Sequence, residues 1–184
     1  MIIGLSGTLC SGKDTVAKHL VEDDGFFHIS LSQILRDLAE KENIPHTMVA
    51  LTQFGNSLNE THGLGYLAKL ALARVKEGEN TVISSIRQPS EIDVLRKING
   101  FKMLFVDADQ GIRFERLRGR NRQGDSEKFE EFVELEAMQN SGNHGGMNLR
   151  ECKQNSDYVI ENNSTMDDFL SQIEDVKNKI KGAE

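Results

Sequence analysis

Residues 1–15, MIIGLSGTLCSGKDT, join a short apolar run to a glycine-rich turn. The run Met1–Ser6 predicts a strand buried on both faces, and residues 14–23 show the apolar spacing of a helix. Between them, Gly7 to Lys13 fits the pattern G-x-x-x-x-G-K. A polyphosphate needs several converging N–H donors, and glycines let the backbone turn back and approach it closely. This order of strand, turn and helix therefore predicts a phosphate-binding P-loop.

The side chains of this turn have predicted roles at the phosphates of ATP. Lys13 adds a positive charge that can follow the phosphate oxygens into the transition state. Asp14 stands where a Ser or Thr usually binds Mg²⁺, and because a carboxylate also suits that ion, Asp14 is the predicted metal ligand. Thr15 is expected at the α-phosphate. The predicted nucleotide-binding residues of the turn are Gly7, Thr8, Cys10, Ser11, Gly12, Lys13, Asp14 and Thr15.

Five short apolar runs alternate with helical patterns along the chain. That alternation predicts a parallel sheet covered by helices on both sides, a three-layer α/β/α P-loop NTPase fold. A length of 184 residues suits one domain, so residues 1–184 are predicted to form a single domain. The predicted strands are Met1–Ser6, Phe26–Ile29, Thr81–Ser84, Lys102–Val106 and Tyr158–Ile160.

The charge and the cysteine usage exclude several classes of protein. A formal net charge of −7 argues against a general nucleic-acid or anionic-membrane binder. No stretch approaches the ~18 apolar residues of a membrane span, and a strand pattern begins at Met1, so no targeting segment is expected. Cys10 and Cys152 form neither a CxxC pair nor a zinc-ligand pattern, which favours a reduced, cytoplasmic location. We expect small-molecule partners, no nucleic acid and no membrane, and a monomer or homodimer.

Arginines are concentrated in one segment of this acidic chain. At helical spacing Arg113, Arg116 and Arg120 share a face, and the polar residues that follow predict a mobile lid over residues 119–127. An arginine-bearing lid supplies charge neutralisation and exclusion of water together, which phosphoryl transfer needs. The alternative is a solvated basic helix paired with the acidic stretch Glu127–Glu136. The clustered residues are Arg113, Arg116, Arg118, Arg120 and Arg122.

Two isolated arginines are candidates for binding a second phosphate. Arg87 directly follows the third predicted strand, and ligands of open parallel sheets bind beyond the carboxyl ends of the strands. Arg36 lies on the helix after the second strand, where an ordinary surface position is the alternative. A guanidinium group suits bidentate recognition of phosphate. Arg87 is therefore predicted to face the loop Gly7–Lys13.

Several motifs together resemble the nucleoside monophosphate kinase group of P-loop proteins, nearest to adenylate-kinase-related and dephospho-coenzyme A kinase-like proteins. The resemblance covers nearly the whole chain. It implies a sheet ordered 2-3-1-4-5, an acceptor-binding region over residues 30–76 and the lid at residues 119–127. The motifs are Gly4–Gly7 with Ser11–Lys13, Ile29–Arg36, Gly63–Ala68, Val82–Arg87 leading into Glu91, Ile112–Arg116 and Asp157–Asn162.

The resemblance also implies roles for individual residues. Ser30, Arg36 and Arg87 would bind the acceptor, with both arginines at its phosphate. Arg116 and Arg120 would reach the transferring phosphoryl group. The implied reaction moves the γ-phosphoryl group of ATP to a (deoxy)nucleoside monophosphate, within one P-loop kinase domain. The predicted catalytic residues are Lys13, Arg87, Arg116 and Arg120, and Asn162 and Asn163 would lie near the adenine.

One departure from the resembled pattern leaves two alternatives open. Relatives often place an Asp at the end of the third strand, where it holds Mg²⁺ through water, whereas this chain has Ser84 and Ser85. Either Asp14 performs that function, or Mg²⁺ binding and turnover are weakened, as in a nucleotide-binding regulator with weak hydrolysis. The other alternative is phosphorylation of a hydroxyl, as in dephospho-coenzyme A kinases. A hydroxyl needs a base, and Asp14 is the acidic candidate beside the phosphates.

Overall fold

The computed structural model describes residues 1–120, 128–140 and 147–182. Strands and helices alternate along these ranges, as the apolar patterns predict. The strands are β1 Ile2–Gly7, β2 Phe27–Ser30, β3 Thr81–Ser84, β4 Phe101–Asp107 and β5 Tyr158–Glu161. The helices are α1 Lys13–Glu22, α2 Leu31–Lys41, α3 Met48–His62, α4 Tyr66–Leu72, α5 Pro89–Leu95, α6 Gln110–Gly119, α7 Phe129–Asn140, α8 Leu149–Gln154 and α9 Met166–Lys181.

The five strands form one parallel sheet in the order β2-β3-β1-β4-β5, which confirms the predicted order. β1 lies at the centre, where Ile2 pairs in register with Thr81 of β3 and Phe101 of β4. Every residue of β1 is buried, as a strand covered on both faces requires. All the carboxyl ends of the strands therefore lie at one edge, where the loop after β1 begins.

Helices cover both faces of the sheet, which confirms the three-layer α/β/α prediction. On one face Ile3 and Leu5 belong to a core built with α1 and α9. On the other face Met103 and Phe105 belong to a core built with α2, α4, α5 and α8. This division follows from the two-residue alternation of side chains along a strand.

The ends of several helices follow from the local sequence. α3 ends at His62 because Gly63, with a φ of 86°, leaves the helical conformation. α4 ends at Leu72, and α8 is a short helix of 6 residues before β5. Of the predicted lid, Gly119 and Arg120 are described, and residues 121–127 lie outside the described residues. In the described part of the chain, no helix has the length and apolar character needed to cross a bilayer.

Candidate nucleotide and acceptor site

The loop between β1 and α1 folds tightly over the end of the sheet. Thr8 N–H donates to Val106 O at 3.3 Å, and Ser11 N–H donates to Thr8 O at 3.2 Å. A Cβ on Gly7 would lie 2.4 Å from Val106 O, so only glycine fits there. Gly12, the N-cap of α1, has a φ of 102° that strongly favours glycine. The two motif glycines thus serve the close approach and the turn that the spacing predicts.

The open end of this loop presents groups that suit a polyphosphate. The N–H groups in the first turn of α1, at Lys13 and Asp14, have no acceptor within the helix. The positive end of the helix dipole points in the same direction. Lys13 Nζ lies 3.5 Å from Asp14 Oδ1, and the Asp14 side chain is 91% exposed. The loop therefore offers amides, an ammonium group and an accessible carboxylate at one place.

Asp107, at the end of β4, is a site residue that sequence reasoning missed. Thr8 Oγ1 donates to Asp107 Oδ1 at 2.7 Å, and Lys153 Nζ donates to Asp107 Oδ2 at 2.7 Å. Burial alone would raise the pKa of Asp107, but the hydrogen bonds from Lys153, Thr8 and Ala108 outweigh it and leave the pKa below its ordinary value. A carboxylate directly after a strand adjacent to β1 was the available signal.

Replacing Asp107 by asparagine should make stability less dependent on pH. Because its folded-state pKa is depressed, the carboxylate contributes fully above its ordinary pKa of about 4 and loses this contribution as the pH falls through the folded value. We expect Asp107→Asn to be about 1–3 kcal/mol less stable than the wild type at neutral pH. Urea unfolding should show this difference shrinking below the ordinary pKa. A difference that stays constant with pH would contradict the assignment.

Asn162, which follows β5, and Arg116 of α6 form hydrogen bonds that support the loop between β1 and α1. Asn162 Nδ2 donates to Ser11 O at 2.8 Å, and Arg116 Nη2 donates to Asn162 O at 3.0 Å and to Asn162 Oδ1 at 3.3 Å. Among the described residues, Ser11 Oγ and Arg116 Nη1 are buried without a hydrogen-bond partner. A buried guanidinium N–H without an acceptor is costly, so the site fits an additional acceptor group such as a phosphate.

Arg120 and Asn163, two further predicted site residues, lie close to Arg116 and Asn162. Arg120 is exposed at the C-cap of α6, one turn beyond Arg116. Asn163 Oδ1 accepts from Asp109 N–H at 2.7 Å, which fixes the start of α6 beside the loop after β5. Direct contact of Asn162, Asn163 or Arg120 with a nucleotide stays a prediction.

The clustered arginines do not form one surface patch in the described residues. Arg113 is buried and pairs with Glu136 of α7, while Arg118 lies 3.7 Å from Glu115 on the surface. The alternative of pairing with the acidic stretch is therefore realised for Arg113, but in the interior and not in solvent. Arg122 lies outside the described residues.

A cavity of about 360 Å³ lies beside the P-loop, between α2, α3 and the start of α5. Arg36 and Arg87 both line it, as does Leu9 of the P-loop, so the structure brings the two isolated arginines next to the phosphate loop. The polar lining is completed by Ser32, His46, Thr52, Asn56, Asn59, Ser85, Gln88 and Glu91, and the apolar lining by Leu9, Leu31, Leu35, Met48, Leu51, Leu67 and Met147.

The two arginines of the cavity are held differently. Arg36 is exposed, and its guanidinium donates to Ser32 O and to Ser32 Oγ one turn earlier. Burial lowers the pKa of Arg87, Glu91 acts in the opposite direction, and the nearby charge of Arg36 lowers it further. The buried Glu91 carboxylate accepts from Arg87 N–H at 2.7 Å and Gln88 N–H at 3.1 Å. Two cations therefore face one cavity, an arrangement that favours an anion between them.

Serines occupy the carboxyl ends of β2 and β3, and at the end of β3 they stand where proteins of the resembled group often have an Asp. Ser84 Oγ lies 2.7 Å from His28 Nε2, and Ser30 Oγ lies 3.3 Å from Ser85 Oγ. Ser30, a predicted acceptor-binding residue, caps α2 and is not among the residues that line the cavity. Burial lowers the pKa of His28, against the opposing effect of the Asp14 charge. The Asp14 carboxylate and the Ser84 hydroxyl are hard oxygen ligands, which fits Mg²⁺.

Comparison with known proteins agrees with this architecture. Residues 3–139 match the AAA_18 family of AAA domains. UPF0200 protein PH1008 of Pyrococcus horikoshii is 34% identical over 98% of this chain and 97% of its own length. A UPF0200 protein of Methanothermobacter thermautotrophicus is 30% identical, covering 100% of this chain and 94% of its own.

Among solved structures, shikimate kinase of Bacteroides thetaiotaomicron superposes with a TM-score of 0.59 over 98% of both chains, at 19% identity. At that identity the likeness shows the fold alone, an α/β fold with a parallel sheet covered by helices on both sides. The chain belongs to the UPF0200 family and, over residues 3–139, to the AAA_18 family of AAA domains.

Proposed function

We propose that this protein is an ATP-dependent phosphotransferase that transfers the γ-phosphoryl group to the phosphate of a (deoxy)nucleoside monophosphate. The observation that carries the proposal is the cavity in which Arg36 and Arg87 lie next to the P-loop residue Leu9. A P-loop alone fits any nucleotide hydrolase. A second cationic pocket beside it supports a second phosphate-bearing substrate, the acceptor.

The donor nucleotide is proposed to bind with its phosphates on the P-loop. The Lys13 and Asp14 amides at the start of α1 would bind phosphate oxygens, and the Lys13 ammonium would neutralise charge on the transferring group. Arg116 Nη1, buried without a partner among the described residues, supports a phosphate contact at this end. Arg120, one turn further along α6, would add charge from the lid. Asn162 and Asn163 would lie near the base.

Mg²⁺ is proposed at Asp14, with the Ser84 hydroxyl near it. When bound there, Mg²⁺ would neutralise negative charge that develops during transfer. Asp14 supplies an exposed carboxylate directly beside Lys13. Ser84 is held by His28, so its hydroxyl has a defined orientation at the strand edge.

The acceptor is proposed to place its phosphate between Arg36 and Arg87. An acceptor phosphate is already ionised, so its oxygen attacks the γ-phosphorus without a general base, giving ADP and a nucleoside diphosphate. The amide side chains of Asn56, Asn59 and Gln88 line the same cavity and suit the hydrogen-bonding edge of a base. The apolar residues that line the same cavity suit the faces of a base.

An acceptor panel tests the proposal. The protein is incubated with ATP, Mg²⁺ and AMP, CMP, UMP, GMP, deoxynucleoside monophosphates, shikimate or dephospho-coenzyme A, and the products are separated by ion exchange. Nucleoside diphosphate formation is the expected result. Phosphorylation of dephospho-coenzyme A or shikimate alone would show that the acceptor group is a hydroxyl. ATP binding with no acceptor-dependent turnover would indicate a regulator, for which Ser84 in place of a carboxylate is the supporting observation.

A further inference from the structure

A buried ion pair joins α6 to α7 beside the P-loop and has no part in the reaction above. Arg113 and Glu136 are each 6% exposed. Both terminal nitrogens of the guanidinium group donate to the Glu136 carboxylate: Nη1 to Oε1, and Nη2 to Oε2 at 3.1 Å. Gln110 Nε2 donates to the same oxygen at 2.8 Å. The guanidinium carbon also lies 5.6 Å from the centroid of the Phe132 ring. Glu136 thus neutralises and fixes a cation in the interior.

Arg113 also donates hydrogen bonds to backbone carbonyl groups around the proposed nucleotide site. Arg113 Nε donates to Ala108 O at 2.6 Å, just beyond β4, and Nη1 donates to Leu9 O at 3.4 Å. In a trans peptide C=O and N–H point in opposite directions, so the contact with Leu9 O turns the N–H of Cys10 away from Arg113. Cys10 has a left-handed φ of 60°, which a non-glycine residue keeps only when its surroundings support it.

Apolar packing joins the same two elements to the loop. Phe114 and Leu117 of α6 and Phe132 of α7 form a buried cluster, and Leu9 and Cys10 pack against it. The P-loop apex is therefore in contact with α7 through this cluster and, by way of Arg113, through Glu136. A displacement of α7 would take Glu136 away from Arg113 and Phe132 away from the cluster together.

We propose that Arg113, held by Glu136, is a positioning residue that orients the Leu9–Cys10 peptide for phosphate binding, so that docking of α7 and nucleotide binding favour each other. The inference rests on the proposed function, because it needs a nucleotide at the P-loop. By linkage, a docked α7 raises nucleotide affinity by the same factor by which bound nucleotide stabilises the docked helix. A pair that only stabilised the fold would show no such coupling.

Glu136→Gln is the first test, because it keeps the size of the side chain and removes the nearer of the two carboxylates that pair with Arg113, the other being Asp107, whose Oδ1 lies 3.9 Å from Nε. With β,γ-imido-ATP and Mg²⁺ as the probe, we expect Kd to rise about tenfold, as for the loss of one charge-assisted hydrogen bond. A lysine at position 113 cannot donate to Leu9, Ala108 and Glu136 at the same time, so Arg113→Lys should weaken binding similarly. The effects of the two single variants should not add up in the double variant. Glu134→Gln, exposed on the same helix, is the matched control and should bind as the wild type does.

Hydrogen exchange of the wild type gives a second readout that needs no variant. Adding the same nucleotide should increase the protection of α7 amides together with those of the P-loop. Unchanged exchange in α7, or wild-type Kd values in folded Glu136→Gln and Arg113→Lys, would overturn the positioning role while the proposed function stands. A wild-type protein that binds no nucleotide would overturn the proposed function itself, and this inference with it.

Discussion

Replacing Lys13 by alanine is expected to lower the rate of phosphoryl transfer by about 10³-fold or more. Catalysis of phosphoryl transfer is mainly positioning and charge stabilisation, so the loss of the one ammonium group of the P-loop removes charge where it develops. The fold should be retained, because within residues 1–120, 128–140 and 147–182 the Lys13 side chain forms one ion pair, at 3.5 Å, with the exposed Asp14. Such pairs are worth about 0–1 kcal/mol.

The measurement combines turnover with thermal unfolding. Lys18→Ala is the matched control, since Lys18 lies on the same helix and forms a surface pair with Glu22 at 3.7 Å. We expect Lys18→Ala to keep wild-type turnover and Lys13→Ala to keep a melting temperature near that of the wild type. Turnover that persists in Lys13→Ala while stability collapses would show that this lysine has a structural role and not a catalytic one.

Replacing Arg87 by lysine is expected to lower kcat/KM for the acceptor by about 10²-fold. Lysine keeps the charge beside the buried Glu91, so the main loss is the planar fork that binds a phosphate in bidentate fashion. The backbone of this residue should stay in place, because its N–H donates to Glu91 at 2.7 Å and its C=O accepts from Asn148 N–H at 2.8 Å.

Separate titrations of donor and acceptor locate the effect. The Kd of ATP should change little in Arg87→Lys, while the KM of the acceptor rises. Arg96→Lys is the control, because Arg96 follows α5 and pairs with Asp157 on the surface at 3.3 Å. If Arg87→Lys weakened ATP binding and left the acceptor KM unchanged, Arg87 would belong to the donor site and the proposed acceptor pocket would be wrong.

Much of the fold could be predicted because its signals are local. A P-loop needs a strand, a glycine-rich turn and a helix in immediate succession, and all three lie within the first 22 residues. The parallel sheet follows from the alternation of apolar strands with helices, and its order was implied by the family resemblance. The adjacency of Arg87 to the loop follows from the rule that strand carboxyl ends share one edge.

The supporting contacts of the site could not be predicted in the same way. Thr8 and Asp107 are 99 residues apart in sequence, and Ser11 and Asn162 are 151 apart, so no short pattern marks either pair. The spacing of the arginines predicted one face for Arg113, Arg116 and Arg120. In the fold, that helix face packs against Glu136 at one position and against Asn162 at the next.

The sequence by itself determined the phosphate loop, the class of fold and the identity of the charged groups, because each depends on neighbours within a few residues. Only the tertiary structure decided which cation is buried, which faces the cavity and which carboxylate holds the loop. These outcomes depend on partners brought together from distant strands and helices, and the cost of burying an unpaired charge selects the pairing.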